Sequence, residues 1–168
     1  LGEDYASAIG AANSGAPGPI LLTLREDVTV VTSFTLAADQ SATVLAPRVT
    51  AQVTWEYTSA QGSAFVVTSG ADLSLQDLEL HAVASYAPIV VVHHDASAYI
   101  AGCKFIHPAG HVISASGLNS VVSVKYSDFG ALCRTCYAIQ AQNGAVATFE
   151  GLLVDVPLSN AINFPLCF

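Results

Sequence analysis

At 168 residues the chain is long enough for one domain with a sizeable core. Its residues are 52% hydrophobic and 11% charged, yet no run reaches the roughly 18 apolar residues of a membrane span. The net charge is −8, and Arg25, Arg48, Lys104, Lys125 and Arg134 are its only lysines and arginines, which excludes a basic patch for nucleic acid or anionic lipid.

The chain opens Leu1-Gly-Glu-Asp, with no basic region ahead of an apolar one, so it does not read as a signal peptide. Methionine is absent, even at position 1. The chain is therefore expected to be processed or a piece of a longer one. Asp4 to Asn13 predicts a short helix. Asp4 is placed to cap it, Tyr5 and Ile9 share a face at i,i+4, and Asn13-Ser-Gly15 is a stop signal. Pro17-Gly-Pro19 then turns the chain. Ile20 to Leu24 and Asp27 to Val31 predict strands. Phe34 to Leu36 and Ala42 to Leu45 belong to the next coil, followed by Ala51 to Tyr57. Alternation there puts Val53, Trp55 and Tyr57 on one face, which predicts core. An exposed carbohydrate-stacking platform is the competing reading of those aromatics.

From Phe65 the pattern turns regular. Four eight-residue phrases share one template: Leu73 to Leu80, Ala98 to Phe105, Val122 to Phe129 and Ala147 to Val154. Their starts differ by 25, 24 and 25 residues, a period that marks a solenoid. Within each phrase the first, third, sixth and eighth residues are mostly apolar. That is two short strands with one face inside, joined by a bend where Asp77, Gly102, Tyr126 and Gly151 fall. Stacked, the phrases give four inward columns: Leu73/Ala98/Val122/Ala147, Leu75/Ile100/Val124/Phe149, Leu78/Cys103/Ser127/Leu152 and Leu80/Phe105/Phe129/Val154. A third strand precedes each phrase, at Phe65, Val90, Ile113 and Ile139. Turn-type segments follow it at Ser69-Gly70, His94-Asp95, Ser116 to Asn119 and Asn143-Gly144. Ala161 to Phe164 resembles the start of a further repeat. Three strands per coil predict an all-β parallel β-helix of about six coils. Residues 1–18 form its capping helix and linker. Residues 19–168 form the β-helix, expected to continue beyond the end of the chain.

The helix ending in Ala11-Ala-Asn13, the strand Ile20-Leu-Leu-Thr-Leu24 and phrases such as Gly70-Ala-Asp-Leu-Ser-Leu-Gln-Asp-Leu-Glu-Leu80 resemble the pectin-lyase-like superfamily. Among its members the chain is most similar to non-enzymatic surface proteins, such as polymorphic outer-membrane proteins and algal surface β-helix ectodomains. The resemblance implies a right-handed coil. It rests on core and turn residues and so speaks to fold more than to function.

Candidate chemistry is sparse. Polysaccharide-cleaving relatives need clustered carboxylates with calcium or a basic residue in a groove. Asp77, Asp128 and Asp155 are scattered over corners and outward positions, and no catalytic residue or cofactor is expected. His93-His94-Asp95 is the most polar cluster, with His81, His107 and His111 placed in neighbouring loops. A zinc or copper site shared by His93, His94 and His111 competes with a solvated corner, which adjacent, diverging side chains favour. Cys133 and Cys136 lie in the longest inter-repeat loop. A local disulfide, free thiols and a redox pair are the readings, with the disulfide favoured to order the loop. Cys103 falls in an inward column as a small apolar residue, and Cys167 is free to pair with a cysteine further on. Outside the third strand face, Glu79, Lys104 and Asp128 stack as a charge ladder.

The expected function is a structural or adhesive segment of a larger surface protein, extracellular or at the cell surface, as paired cysteines imply. Its partners would be other subunits or further coils of the same protein. The alternative is a carbohydrate-binding or polysaccharide-processing β-helix whose site lies elsewhere in a longer chain. An ice-binding array is disfavoured, because the outward Thr43, Thr54, Thr68 and Thr148 do not read as one column.

Overall fold

The computed structural model describes residues 5–15, 18–47, 53–59, 62–83, 85–107, 109–130, 136–154 and 162–163. A helix, α1 (Tyr5–Asn13), leads into strands that come in threes. The first coil holds β1 (Pro19–Thr23), β2 (Val28–Val30) and β3 (Phe34–Leu36). The second holds β4 (Ser41–Leu45), β5 (Val53–Tyr57) and β6 (Phe65–Val67). The third holds β7 (Asp72–Gln76), β8 (Leu78–Ala82) and β9 (Val90–Val92). Then follow β10 (Ser97–Ala101), β11 (Lys104–Ile106) and β12 (Ile113–Ser116). After these come β13 (Val121–Lys125), β14 (Asp128–Gly130) and β15 (Ile139–Gln142), and last β16 (Val146–Glu150), β17 (Leu153–Val154) and β18 (Ile162–Asn163).

Each strand pairs in parallel with its counterpart one coil away. The result is three six-stranded sheets: sheet A from β1 to β16, sheet B from β2 to β17 and sheet C from β3 to β18. Six strands per sheet are five steps, so the β-helix winds through about five turns, close to the expected six coils. The register follows the sequence period. Ile100 lies between Leu75 and Val124, and Phe105 between Leu80 and Phe129. Ile162 pairs with Ile139, as the partial further repeat requires.

Alternation puts one side chain in two into the lumen. Leu73, Leu75, Leu78, Leu80, Ile100, Phe105, Val122, Val124 and Phe129 are all buried, and Cys103 sits among them. Burying each large side chain contributes roughly 1.5–3 kcal/mol. The rings of Phe105 and Phe129 stack at 5.0 Å between centroids, as in-register coils demand. At the other end Phe34, Trp55 and Phe65 form an aromatic cluster with centroids 5.0–6.3 Å apart. Trp55 and Tyr57 are core and not a surface platform. Phe149 departs from its column by being exposed, because β16 is the last strand of sheet A among the described residues and pairs there with β13 alone.

The corners explain why the coil turns where it does. From the third coil on, the chain passes from sheet A to sheet B through Asp77, Gly102, Tyr126 and Gly151, with φ of 57°, 63°, 49° and 60°. This left-handed conformation bends the chain from one sheet into the next in one residue. Glycine adopts it freely and aspartate tolerates it, whereas a tyrosine there costs about 1–2 kcal/mol. A second column stands two residues before each strand of sheet A from β4 onward: Asp39, Gly70, Asp95, Asn119 and Gly144, again all at positive φ. Its backbone ladder continues around the bend, with Asp39 N donating to Gly70 O, Gly70 N to Asp95 O and Asp95 N to Leu118 O.

The helix closes the first coil. Ile9 and Ala12 are buried against the lumen, with Tyr5 packed beside them. Asn13 then acts as a strand substitute. Its Nδ2 donates to Ser33 O at 2.9 Å and its Oδ1 accepts from Thr35 N at 2.8 Å. These are the two bonds a parallel neighbour would make around Phe34, so one side-chain amide covers the open edge of β3.

Candidate functional site

The outer faces and corners carry the polar groups. On sheet B, β8 and β11 are in register, which sets Lys104 beside Glu79, and β14 sets Asp128 on its other side. The Lys104 ammonium meets Glu79 Oε2 at 3.1 Å, and His81 Nε2 donates to Glu79 Oε1 at 2.6 Å. Among the described residues the lysine forms its ion pair with Glu79 and not with Asp128. Partial burial pushes the Glu79 carboxyl upward, but the two hydrogen bonds and the neighbouring cations outweigh it, and the group lies below its usual 4.5. His81, placed in a loop by the sequence reading, stands on β8 facing outward. It is two residues from Glu79 and therefore on the same face.

The candidate metal ligands are not brought together. His93 and His94 are exposed at the corner after β9, whereas His111 precedes β12. Ile113 of β12 pairs with Val90 of β9, so the two groups flank opposite ends of sheet C. No cluster of three or more histidine, cysteine, aspartate or glutamate side chains fit for a metal exists among the described residues. His111 is otherwise engaged. Its Nδ1 accepts from Tyr137 N at 2.9 Å, and its ring stacks on Tyr137 at 5.1 Å.

His107 lies in the loop after β11, as expected, but is fully buried there, with Nε2 donating to Ala87 O at 2.8 Å. Ser85 stands in the same stack of loops, donating from Oγ to Gly62 O and accepting from Ala87 N. Removal from water lowers the pKa of both His107 and His111, because the charged imidazolium is the form that loses hydration.

Cys103 is free and buried, and burial pushes its thiol up to about 12, which makes it inert. Cys136 is disulfide-bonded. Cys133, its expected partner, lies outside the described residues, as do Asp155 and Cys167.

One corner carries a polar and aromatic group that the sequence reading did not assemble. Tyr126 is 63% exposed, and its hydroxyl donates to Glu150 Oε1 at 2.6 Å. Glu150 Oε2 lies 3.5 Å from the Lys125 ammonium. Hydrogen bonding from Tyr126 and Lys125 lowers the Glu150 pKa, and the same carboxylate raises that of Tyr126. Ser123, Lys125, Thr148, Phe149 and Glu150 line a hollow of about 300 Å³ beside it. The spacing of Tyr126 and Glu150, 24 residues and hence one coil apart, was the available signal.

Threonines 43 and 148 do fall in one column on sheet A, with Ser74, Tyr99 and Ser123 between them. Tyr99 interrupts that column. Fold and surface together define a parallel β-helix with a laddered, polar outside. Neither a family model, nor a curated protein, nor a solved structure matches the chain.

Proposed function

We propose that this chain is a rigid structural or adhesive segment of a larger surface assembly. On this reading it is a β-helix of the right-handed, pectin-lyase-like type, working outside the cell. The observation that carries the reading is the unbroken register of all three sheets. Every coil repeats the contacts of the one before, so stiffness and length come from stacking alone. Parallel connections of this kind favour the right-handed course. The oxidised state of Cys136 supports an oxidising compartment.

Labelling of the intact cells that make the protein, with a membrane-impermeant amine reagent followed by fractionation, tests this. Labelled protein in a sedimentable, high-mass fraction is the expected result. A monomer protected inside the cell would overturn the reading.

A further inference from the structure

The loops that carry the chain from sheet B to sheet C stack as the strands do, and one of them is fastened to both its neighbours. It follows β11 and holds His107, Gly110 and His111. Towards the third coil, the buried His107 donates from Nε2 to Ala87 O at 2.8 Å. Gly110 permits this close approach. A Cβ there would strike the main-chain Tyr86 O and lie 2.6 Å from His107 Nε2. Ser85 carries the contact on to the second coil, accepting from Ala87 N and donating to Gly62 O. Towards the fifth coil, His111 Nδ1 accepts from Tyr137 N at 2.9 Å, and Val112 N donates to Tyr137 O. Beside these contacts Ile89, Val112 and Ala138 are buried at the entry to sheet C.

The geometry points to this loop as an acid-operated clasp: two neutral histidines hold the loops of the third, fourth and fifth coils together, and their protonation opens those loops while sheet A stays wound. His111 accepts its bond only while Nδ1 is bare, so a proton there turns an acceptor into a donor aimed at the Tyr137 N–H. His107 keeps its bond to Ala87 O when protonated but carries a charge shut away from water. The carbonyls of Ala87 and Ala82 favour that charge, yet burial outweighs them and His111 adds repulsion. Burial acts in the same direction on His111. Among the described residues, the titratable groups around the pair are each other, Tyr137 stacked on His111, and Tyr86, whose side chain stands in solvent. Glu79 and His81 lie on the outer face of β8, and Cys133 and Arg134 lie outside the described residues. No carboxylate is among the influences on either ring, so neither imidazolium gains an anionic partner among the described residues. With both folded values below the ordinary 6.5, the clasp is complete above that pH and is lost as pH falls. This goes beyond the rod reading and does not rest on it.

Amide exchange of the full chain, corrected for intrinsic rates, tests this at about pH 7.5 and pH 5 over a range of low urea concentrations. A histidine that titrates near 6.5 when released and well below 5 when clasped favours opening by roughly thirtyfold at pH 5. Protection at Ala87, Val112 and Tyr137 is therefore expected to fall by about tenfold or more between the two conditions. Exchange at these amides should be nearly flat in urea, the mark of a local opening. Leu75, Ile100 and Val124 of sheet A should keep the steep dependence of global unfolding. His107→Gln retains a donor and His111→Asn an acceptor, and neither titrates, so the double variant should lose the acid response. Gly110→Ala should open the loops already at pH 7.5. Unchanged protection at pH 5, steep urea dependence at the three loop amides, an acid response retained in the double variant, or full protection in Gly110→Ala would each overturn the proposal. Should a variant fail to fold, the pH and urea dependence of the parent decides alone.

Discussion

Lys104 stands between two carboxylates in the register of sheet B, and its ammonium reaches Glu79. The lysine is more than a third exposed, so the pair contributes only about 0.2–1 kcal/mol. Lys104→Glu should nonetheless cost more than Lys104→Gln, because it sets three acids side by side on adjacent strands. Thermal melts should separate the two by on the order of 1–3 °C at low salt, and the gap should close in high salt as screening grows. Glu79 itself links the site to pH. Its folded pKa is depressed below 4.5, so its contribution is fully present above the unfolded value and is lost as pH falls through the folded one. Melting temperature should therefore drop between about pH 5 and pH 3, and Glu79→Gln should flatten that part of the profile. The histidines act higher on the scale. His107 and His111 have lowered pKa values, so the fold favours their neutral forms. Their contribution is complete above about pH 6.5 and is lost as pH falls towards the folded values. Protonating His111 also removes the Nδ1 lone pair that Tyr137 N uses. Amide exchange at Tyr137 should accelerate on going from about pH 7.5 to 5, after correction for intrinsic rates.

At the scale of elements, α1 and the corners do separate jobs. The helix covers the lumen with Ile9 and Ala12, while Asn13 covers an edge. Asn13→Ala would leave Ser33 O and Thr35 N to water, since both bonds are exposed. The expected cost is about 0.5–1.5 kcal/mol by denaturant unfolding. Faster exchange of the Thr35 amide is the local signature. A normal rate there would mean that the amide bond is not the cover for β3. The corner column at Asp77, Gly102, Tyr126 and Gly151 bends the chain without a loop, and so fixes the phase of β8, β11, β14 and β17 relative to sheet A.

Over the whole molecule this makes tolerance to insertion uneven. From the third coil on, sheet A passes to sheet B through Asp77 alone, or through two residues at Gly102-Cys103, Tyr126-Ser127 and Gly151-Leu152. From sheet B to sheet C the connection is longer and varies from coil to coil. An alanine inserted between Ala101 and Gly102 would put Phe105 and its partners out of phase with the lumen. It should lower stability by several kcal/mol, on the scale of losing a large core side chain. An alanine inserted after the exposed Val83 should cost far less. Comparable melting temperatures for the two insertions would contradict the tight corner as the element that sets the phase.

The repeat period, the inward columns and the positions of the tight corners were legible in the sequence, because each depends on a pattern confined to one coil. Leu75, Ile100 and Val124 announce a common lumen by alternation, and Gly102 and Gly151 announce a bend. The burial of Cys103 and the pairing of Ile162 with Ile139 follow from the same period. Which side chains meet across coils was decided only in three dimensions. That Asn13 would replace a strand beside Phe34 depends on where the helix lands. That His107 would be buried depends on how the loop before β9 folds over it. Tyr126 and Glu150 meet because a left-handed corner aims one ring at the coil above. Those encounters depend on loop paths and side-chain directions, which the hydrophobic period does not encode.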